Sequence, residues 1–186
     1  MPFTIGSGQK FGIWMEIRME FMELLRARHS VRRYTGKPVA PELVQKILEA
    51  VRTAPSAGNF QAYEIYVVSG EERMRTLAAA TFNHDWIAQA PMALVVCMNA
   101  ARCEYDDKEH WALQDASIAA MLAHLAIVDL GLATCWVGAF LPAKVAGVVG
   151  VTEGHVPMAV LSFGYADEIP QESPRRTLHE FVHLRE

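Results

Sequence analysis

The segment Arg28-His29-Ser30-Val31-Arg32-Arg33-Tyr34 places two guanidinium groups and a hydroxyl at alternate positions just after a helical pattern. It is expected to run extended into Gly36-Lys37-Pro38, and alternate side chains of an extended chain share a face. Arg28, Ser30 and Arg32 are therefore expected to point together. Two guanidinium forks and a hydroxyl suit a phosphate dianion and the polar chain beside it. Taken alone, an arginine-rich helix end more commonly just complements the helix dipole.

Other stretches offer less. Ala54-Pro55-Ser56-Ala57-Gly58-Asn59-Phe60-Gln61 reads by itself as a helix-terminating loop, because the residue before proline resists helix and glycine permits an unusual backbone. His179-Glu180-Phe181-Val182-His183 fits the zinc-protease helix pattern, in which two histidines one turn apart bind metal and the glutamate activates water. That chemistry needs a third ligand, and none is evident, so a C-terminal helix without metal is expected. Cys97, Cys103 and Cys135 form no Cys-x-x-Cys pair and read as reduced, mostly buried thiols. No glycine-rich phosphate loop follows a strand, so a dinucleotide-binding Rossmann unit has no support.

Taken in order, four stretches resemble the FMN-dependent nitroreductase family. They are Arg28-His29-Ser30-x-Arg32-x-Tyr34, the Ala54 to Gln61 loop, Gly131-Leu132-Ala133-Thr134-Cys135-Trp136-Val137-Gly138-Ala139-Phe140, and the closing Phe163-Gly164-Tyr165-Ala166 with Pro174-Arg175-Arg176-Thr177-Leu178. Each is a handful of residues, but their order and spacing make a joint signal covering nearly everything from Glu20 to Val182.

The resemblance implies an α+β fold with a mostly antiparallel central sheet flanked by helices, in an intertwined homodimer. It implies FMN as cofactor, with Arg28 and Ser30 on the phosphate and ribityl chain, His29 contributing mainly backbone, and Arg32 near the pyrimidine edge of the ring. A cation there favours the negative charge that two-electron reduction leaves around N1 and O2. Pro55, Ser56 and Asn59 would reach the flavin from the second subunit, with Ala57 where many relatives carry serine. Val137, Gly138 and Ala139 match the family positions at the ring, the backbone N–H groups of Gly138 and Ala139 approaching N5 and O4. Arg175 matches a phosphate-binding arginine. Ser173 stands where the family often has lysine, leaving Arg176 as a substitute cation. The Gln114-Asp115 pair also resembles the family pattern, without a derivable duty.

The implied activity is transfer of hydride from NAD(P)H through FMN to a nitro compound, quinone or similar small acceptor by a ping-pong cycle, with no protein acid or base nominated. Two alternatives stay open: a specialised branch performing reductive dehalogenation or flavin cleavage, and an FMN-binding redox sensor without efficient turnover.

Positioning such a site requires a scaffold, and the periodicities supply one. A helical pattern runs through Ile17, Phe21, Leu24 and Leu25, and a second begins at Pro41 with Leu43, Val44, Ile47, Leu48 and Val51 on one stripe. Further helices are expected at about 71–81 and 111–130, the latter apolar on most faces, as suits a core or a subunit interface. Strands are expected at 65–68, 94–97 and 158–163. Their order is not a clean β-α-β alternation, so the fold class reads as α+β.

The chain of 186 residues is 52% hydrophobic, enough for one substantial core. Residues 1–15 lack periodicity and are expected to be a flexible extension of a single domain spanning 16–186. A formal net charge of -4 gives no basic field for nucleic acid, and no apolar run approaches the roughly 20 residues of a membrane span. The N-terminus does not read as a secretory signal, so a cytoplasmic location with small-molecule partners is expected.

Overall fold

The computed structural model describes residues 19–82 and 84–185; the expected extension at 1–15 lies outside them. In chain order come α1 (Phe21–Ala27), α2 (Pro41–Val51), β1 (Tyr63–Ser69), α3 (Glu71–Ala80), α4 (Trp86–Gln89) and β2 (Met92–Asn99). They are followed by α5 (Lys108–Asp129), β3 (Ala133–Val137), α6 (Pro142–Val149) and β4 (His155–Gly164). The four strands form one sheet in the order β1-β2-β4-β3, every neighbouring pair antiparallel. The class is α+β, as expected.

β2 and β4 are central, and their near-continuous apolar runs are buried on both faces. Period-two alternation sorts them: Leu94 and Val96 pack with α2 and α5, whereas Val95 and Cys97 pack with α3 and α6. On α5, Ala112, Ala116, Ala119, Ala120 and Ala123 are buried. Alanine costs no side-chain entropy and lets the helix lie close to the sheet. The far side of α5 leaves Leu113, Ile118 and Met121 exposed. Contrary to the expectation of no such run, α5 is long and apolar enough by composition to cross a membrane; half of that stretch is buried inside the fold, as in a core helix.

Four elements differ from expectation, the first being α4, a single turn of four residues with no readable period. β3 falls inside the Gly131 to Phe140 motif, where five residues are too few to show alternation. α6 is built from Pro-Ala-Lys-Val-Ala-Gly-Val-Val, whose valines and glycine lower its helix propensity, although Pro142 at the first turn is a start signal. The C-terminal helix reduces to one 3-10 turn, Leu178–Glu180. There the Glu180 carboxylate accepts hydrogen bonds from the Thr177 N–H and hydroxyl, both at 2.6 Å. Without a helix through 179–183, His179 and His183 do not stand one turn apart.

Candidate functional site

The chain leaves α1 through Arg28 and runs alongside β3 rather than joining it as a full strand. Ser30 forms an isolated parallel bridge with Thr134, Val31 N–H donates to the Thr134 carbonyl at 3.1 Å, and Tyr34 bridges Ala166. Tyr34 fastens the segment. Its buried hydroxyl lies 2.9 Å from the Val31 carbonyl, 3.1 Å from the Ser162 carbonyl and 3.0 Å from the Ser162 hydroxyl. Burial pushes the phenol far above its ordinary pKa, so it stays a donor.

Because regular strand geometry is interrupted, Arg28 and Arg32 do not share a face as the alternation rule suggested. Half-buried Arg28 turns toward α5, where its Nη1 lies 3.5 Å from His124 Nε2. Arg32 turns to the opposite side of the sheet, its guanidinium 5.5 Å from the centre of the Trp86 ring. There Arg32 Nη1 donates to the Ser30 carbonyl at 3.4 Å, and its backbone N–H donates to Glu168 Oε1 at 2.5 Å. The His84 imidazole stacks on the same Trp86 ring at 4.4 Å, tying the loop around 84–86 to Arg32. Ser30 is exposed and His29 half-buried.

At the far end of β3, Val137 is buried, while Gly138 and Ala139 are exposed. Their backbone N–H groups donate to nothing among the described residues. Trp136 and Phe140 pack into the core.

The Pro55 to Gln61 loop is an irregular backbone held from outside. Gly58, Asn59 and Gln61 all have positive φ, at 54°, 58° and 51°. A β-carbon on Gly58 would meet the Phe60 ring at 2.6 Å, so a side chain there would have to displace that ring. The carboxylate of Asp115, 2% exposed, accepts the Ala57 N–H at 2.9 Å and the Ala62 N–H at 3.1 Å. Ser56 Oγ accepts the Gln61 N–H at 3.0 Å, and Arg102 Nε donates to the Phe60 carbonyl at 3.1 Å. Asp115 thus brackets the loop from both ends.

The loop precedes β1, whereas Ser30 bridges β3 and Gly138 follows it, at opposite edges of the four-stranded sheet. Three strand spacings put these edges roughly 14 Å apart. One chain therefore does not bring the two groups of candidate residues together. Arg175 and Arg176 lie on an exposed C-terminal tail, Arg176 at 5.3 Å over the Phe181 ring.

Among known proteins, the model of the Nitroreductase family matches residues 25–84 and 73–165. A putative NADH dehydrogenase/NAD(P)H nitroreductase from Archaeoglobus fulgidus is 30% identical over 150 residues, covering 78% of this chain and 85% of the relative. The Bacillus subtilis FMN reductase [NAD(P)H] is 29% identical over 173 residues, covering 84% and 70%. The solved NADPH:FMN oxidoreductase from Vibrio harveyi, complexed with NAD+, superposes with a TM-score of 0.82 at 25% identity, covering 89% of this chain and 76% of that one. This chain belongs to the nitroreductase family.

Within this nitroreductase-family chain, the residues that sequence reasoning missed are those acting behind the motifs. Asp115 carried a family pattern without a duty, since its partners lie 53 and 58 residues away along the chain. His124 gave no signal beyond a lone histidine in an apolar helix. Trp86 opens α4, whose four residues are too few to show a period. The three cysteines are unpaired and buried; burial pushes the Cys97 thiol up to about 12 and raises that of Cys135 too, so neither is a ready nucleophile.

Proposed function

We propose that this chain is an NAD(P)H-dependent flavin oxidoreductase that holds FMN in a site completed by a second copy of itself. It passes hydride to a nitro compound, quinone or similar small acceptor. The observation that carries this reading is the division of the candidate contacts between opposite edges of the sheet. Arg28, Ser30, Arg32 and the Gly138 and Ala139 amides belong to one edge, while Pro55, Ser56 and Asn59 belong to the other. A two-fold dimer contributes one edge from each protomer to each of two sites.

The donor set fits the cofactor. The Arg28 guanidinium and the exposed Ser30 hydroxyl match a phosphate and ribityl chain, and two free N–H groups at the end of β3 match the acceptor atoms of a flavin ring. Bound flavin supplies the hydride acceptor and donor. Arg28 and Arg175 bind the phosphate, with His29 adding backbone and Arg176 standing for the cation absent at Ser173. Arg32, held over Trp86, keeps a fixed positive charge at the pyrimidine edge. Gly138 and Ala139, lacking bulk, let the backbone approach the ring. Val137 ends the strand that aims them. Ala57 gives its N–H to Asp115 and holds the loop that Pro55, Ser56 and Asn59 carry to the partner.

Names of relatives support the same reading: FMN reductase [NAD(P)H] in Bacillus subtilis and NADPH-flavin oxidoreductase in Vibrio harveyi. Nicotinamide and acceptor would meet the bound flavin in turn at one site, which would make the kinetics ping-pong. Three unpaired cysteines accord with a reducing, cytoplasmic setting. Steady-state oxidation of NAD(P)H tests the activity: a nitroaromatic or quinone is expected to accelerate it in a flavin-dependent way. No acceleration by either acceptor would reject the proposed reaction.

A further inference from the structure

His124 is a buried residue that the fold alone does not account for. It sits in α5 among buried alanines and isoleucine, 2% exposed, with the Trp136 ring tilted against it at 6.5 Å. Its Nδ1 has no hydrogen-bond partner, and its Nε2 meets Arg28 Nη1 at 3.5 Å. A guanidinium can only donate, so Nε2 presents its lone pair, the ring is neutral and the proton resides on the unpartnered Nδ1. An apolar side chain of similar volume would avoid that unsatisfied group. What the imidazole adds is an acceptor for one cation, at the root of the segment that carries Ser30 and Arg32.

The geometry points to His124 as a positioning residue for the flavin phosphate. Buried and neutral, it orients the Arg28 guanidinium so that the remaining N–H groups face outward to the anion. Arginine otherwise loses considerable rotamer freedom on binding, and an acceptor that already holds one N–H removes part of that cost. This inference rests on the proposed role of Arg28 at the phosphate of FMN.

The test is a double-mutant cycle read by flavin fluorescence titration of the full chain with FMN and with riboflavin, which lacks the phosphate. His124→Phe keeps the ring volume without its nitrogens, and His124→Gln returns an acceptor oxygen. His124→Phe is expected to weaken FMN about fivefold and leave riboflavin unchanged, the scale of one ordinary intramolecular hydrogen bond, because the lost contact acts on FMN only through Arg28. His124→Gln should recover most of that loss. In the Arg28→Ala background, His124→Phe should add nothing further. If His124→Phe does not fold by circular dichroism, His124→Leu carries the same cycle. Equal weakening of FMN and riboflavin, or an effect of His124→Phe that persists without Arg28, would overturn the inference and leave His124 a packing residue. An Arg28→Ala variant with an unaltered FMN-to-riboflavin ratio would remove Arg28 from the phosphate and this inference with it, while saturable FMN binding by the wild-type chain would leave the flavin reading standing.

Discussion

Arg28 shows how far residue types and spacing alone can be pushed. The motif marked two cations and a hydroxyl, but the assumption of a shared face failed, because the segment makes isolated bridges instead of a continuous ladder and its two arginines depart to opposite faces of the sheet. If Arg28 meets the phosphate, Arg28→Ala should weaken FMN at least about tenfold, from the roughly 1.5–3 kcal/mol of hydrogen bonds to charged groups, and should narrow the preference over riboflavin. Parallel titrations with the two flavins measure this, and an unchanged preference would contradict it. His124 yields a pH prediction. Burial first, and the Arg28 charge second, lower its pKa from 6.5 to about 4. Between those values the unfolded chain binds a proton that the folded chain refuses, so folding stability falls as pH drops from 6.5 toward 4. The loss is about 3 kcal/mol at most. Urea unfolding across that range should give wild type a steeper loss of stability toward low pH than His124→Phe; equal slopes would contradict the shift.

At the scale of elements, the strongly patterned pieces were legible: the stripe of α2, α3 after Gly70, the long α5, and the cores of β1, β2 and β4. What was not legible was short or conditional. β3 has five residues, α6 has a valine-rich composition, and the His179 to His183 segment stops after one turn whose cap is satisfied by Glu180. The Pro55 to Gln61 loop could be read only as a loop, because the carboxylate that shapes it comes from α5. Asp115→Ala should leave two backbone N–H groups without partners, at a cost of roughly 2–4 kcal/mol. The left-handed backbone at Gly58, Asn59 and Gln61 would relax with it. Thermal unfolding should register the lost stability, and FMN affinity should fall alongside. A variant with native melting temperature and native affinity would show that Asp115 does not shape the loop.

At the scale of the whole molecule, the sheet keeps the loop and the β3 edge roughly 14 Å apart. The exposed apolar side of α5, with Leu113, Ile118 and Met121, and the exposed Phe21 and Met22 of α1 supply surface for a partner. If that partner is a second copy, FMN bound only by the assembled form should stabilise the dimer and raise its melting temperature as flavin is added. Sedimentation with parallel activity assays would check this, and a monomer retaining FMN and full turnover would contradict the shared site. The dimer was expected from resemblance, with one supporting pattern in the residues, the helix at 111–130 that is apolar on most faces. The positions of the two edges give the proposed dimer a further physical reason.

The central claim is that this chain binds FMN, and flavin fluorescence during titration of the purified, flavin-stripped protein tests it most directly. The account predicts a saturable change with one FMN per chain, and weak or no response to FAD. No saturable change with excess FMN would contradict it.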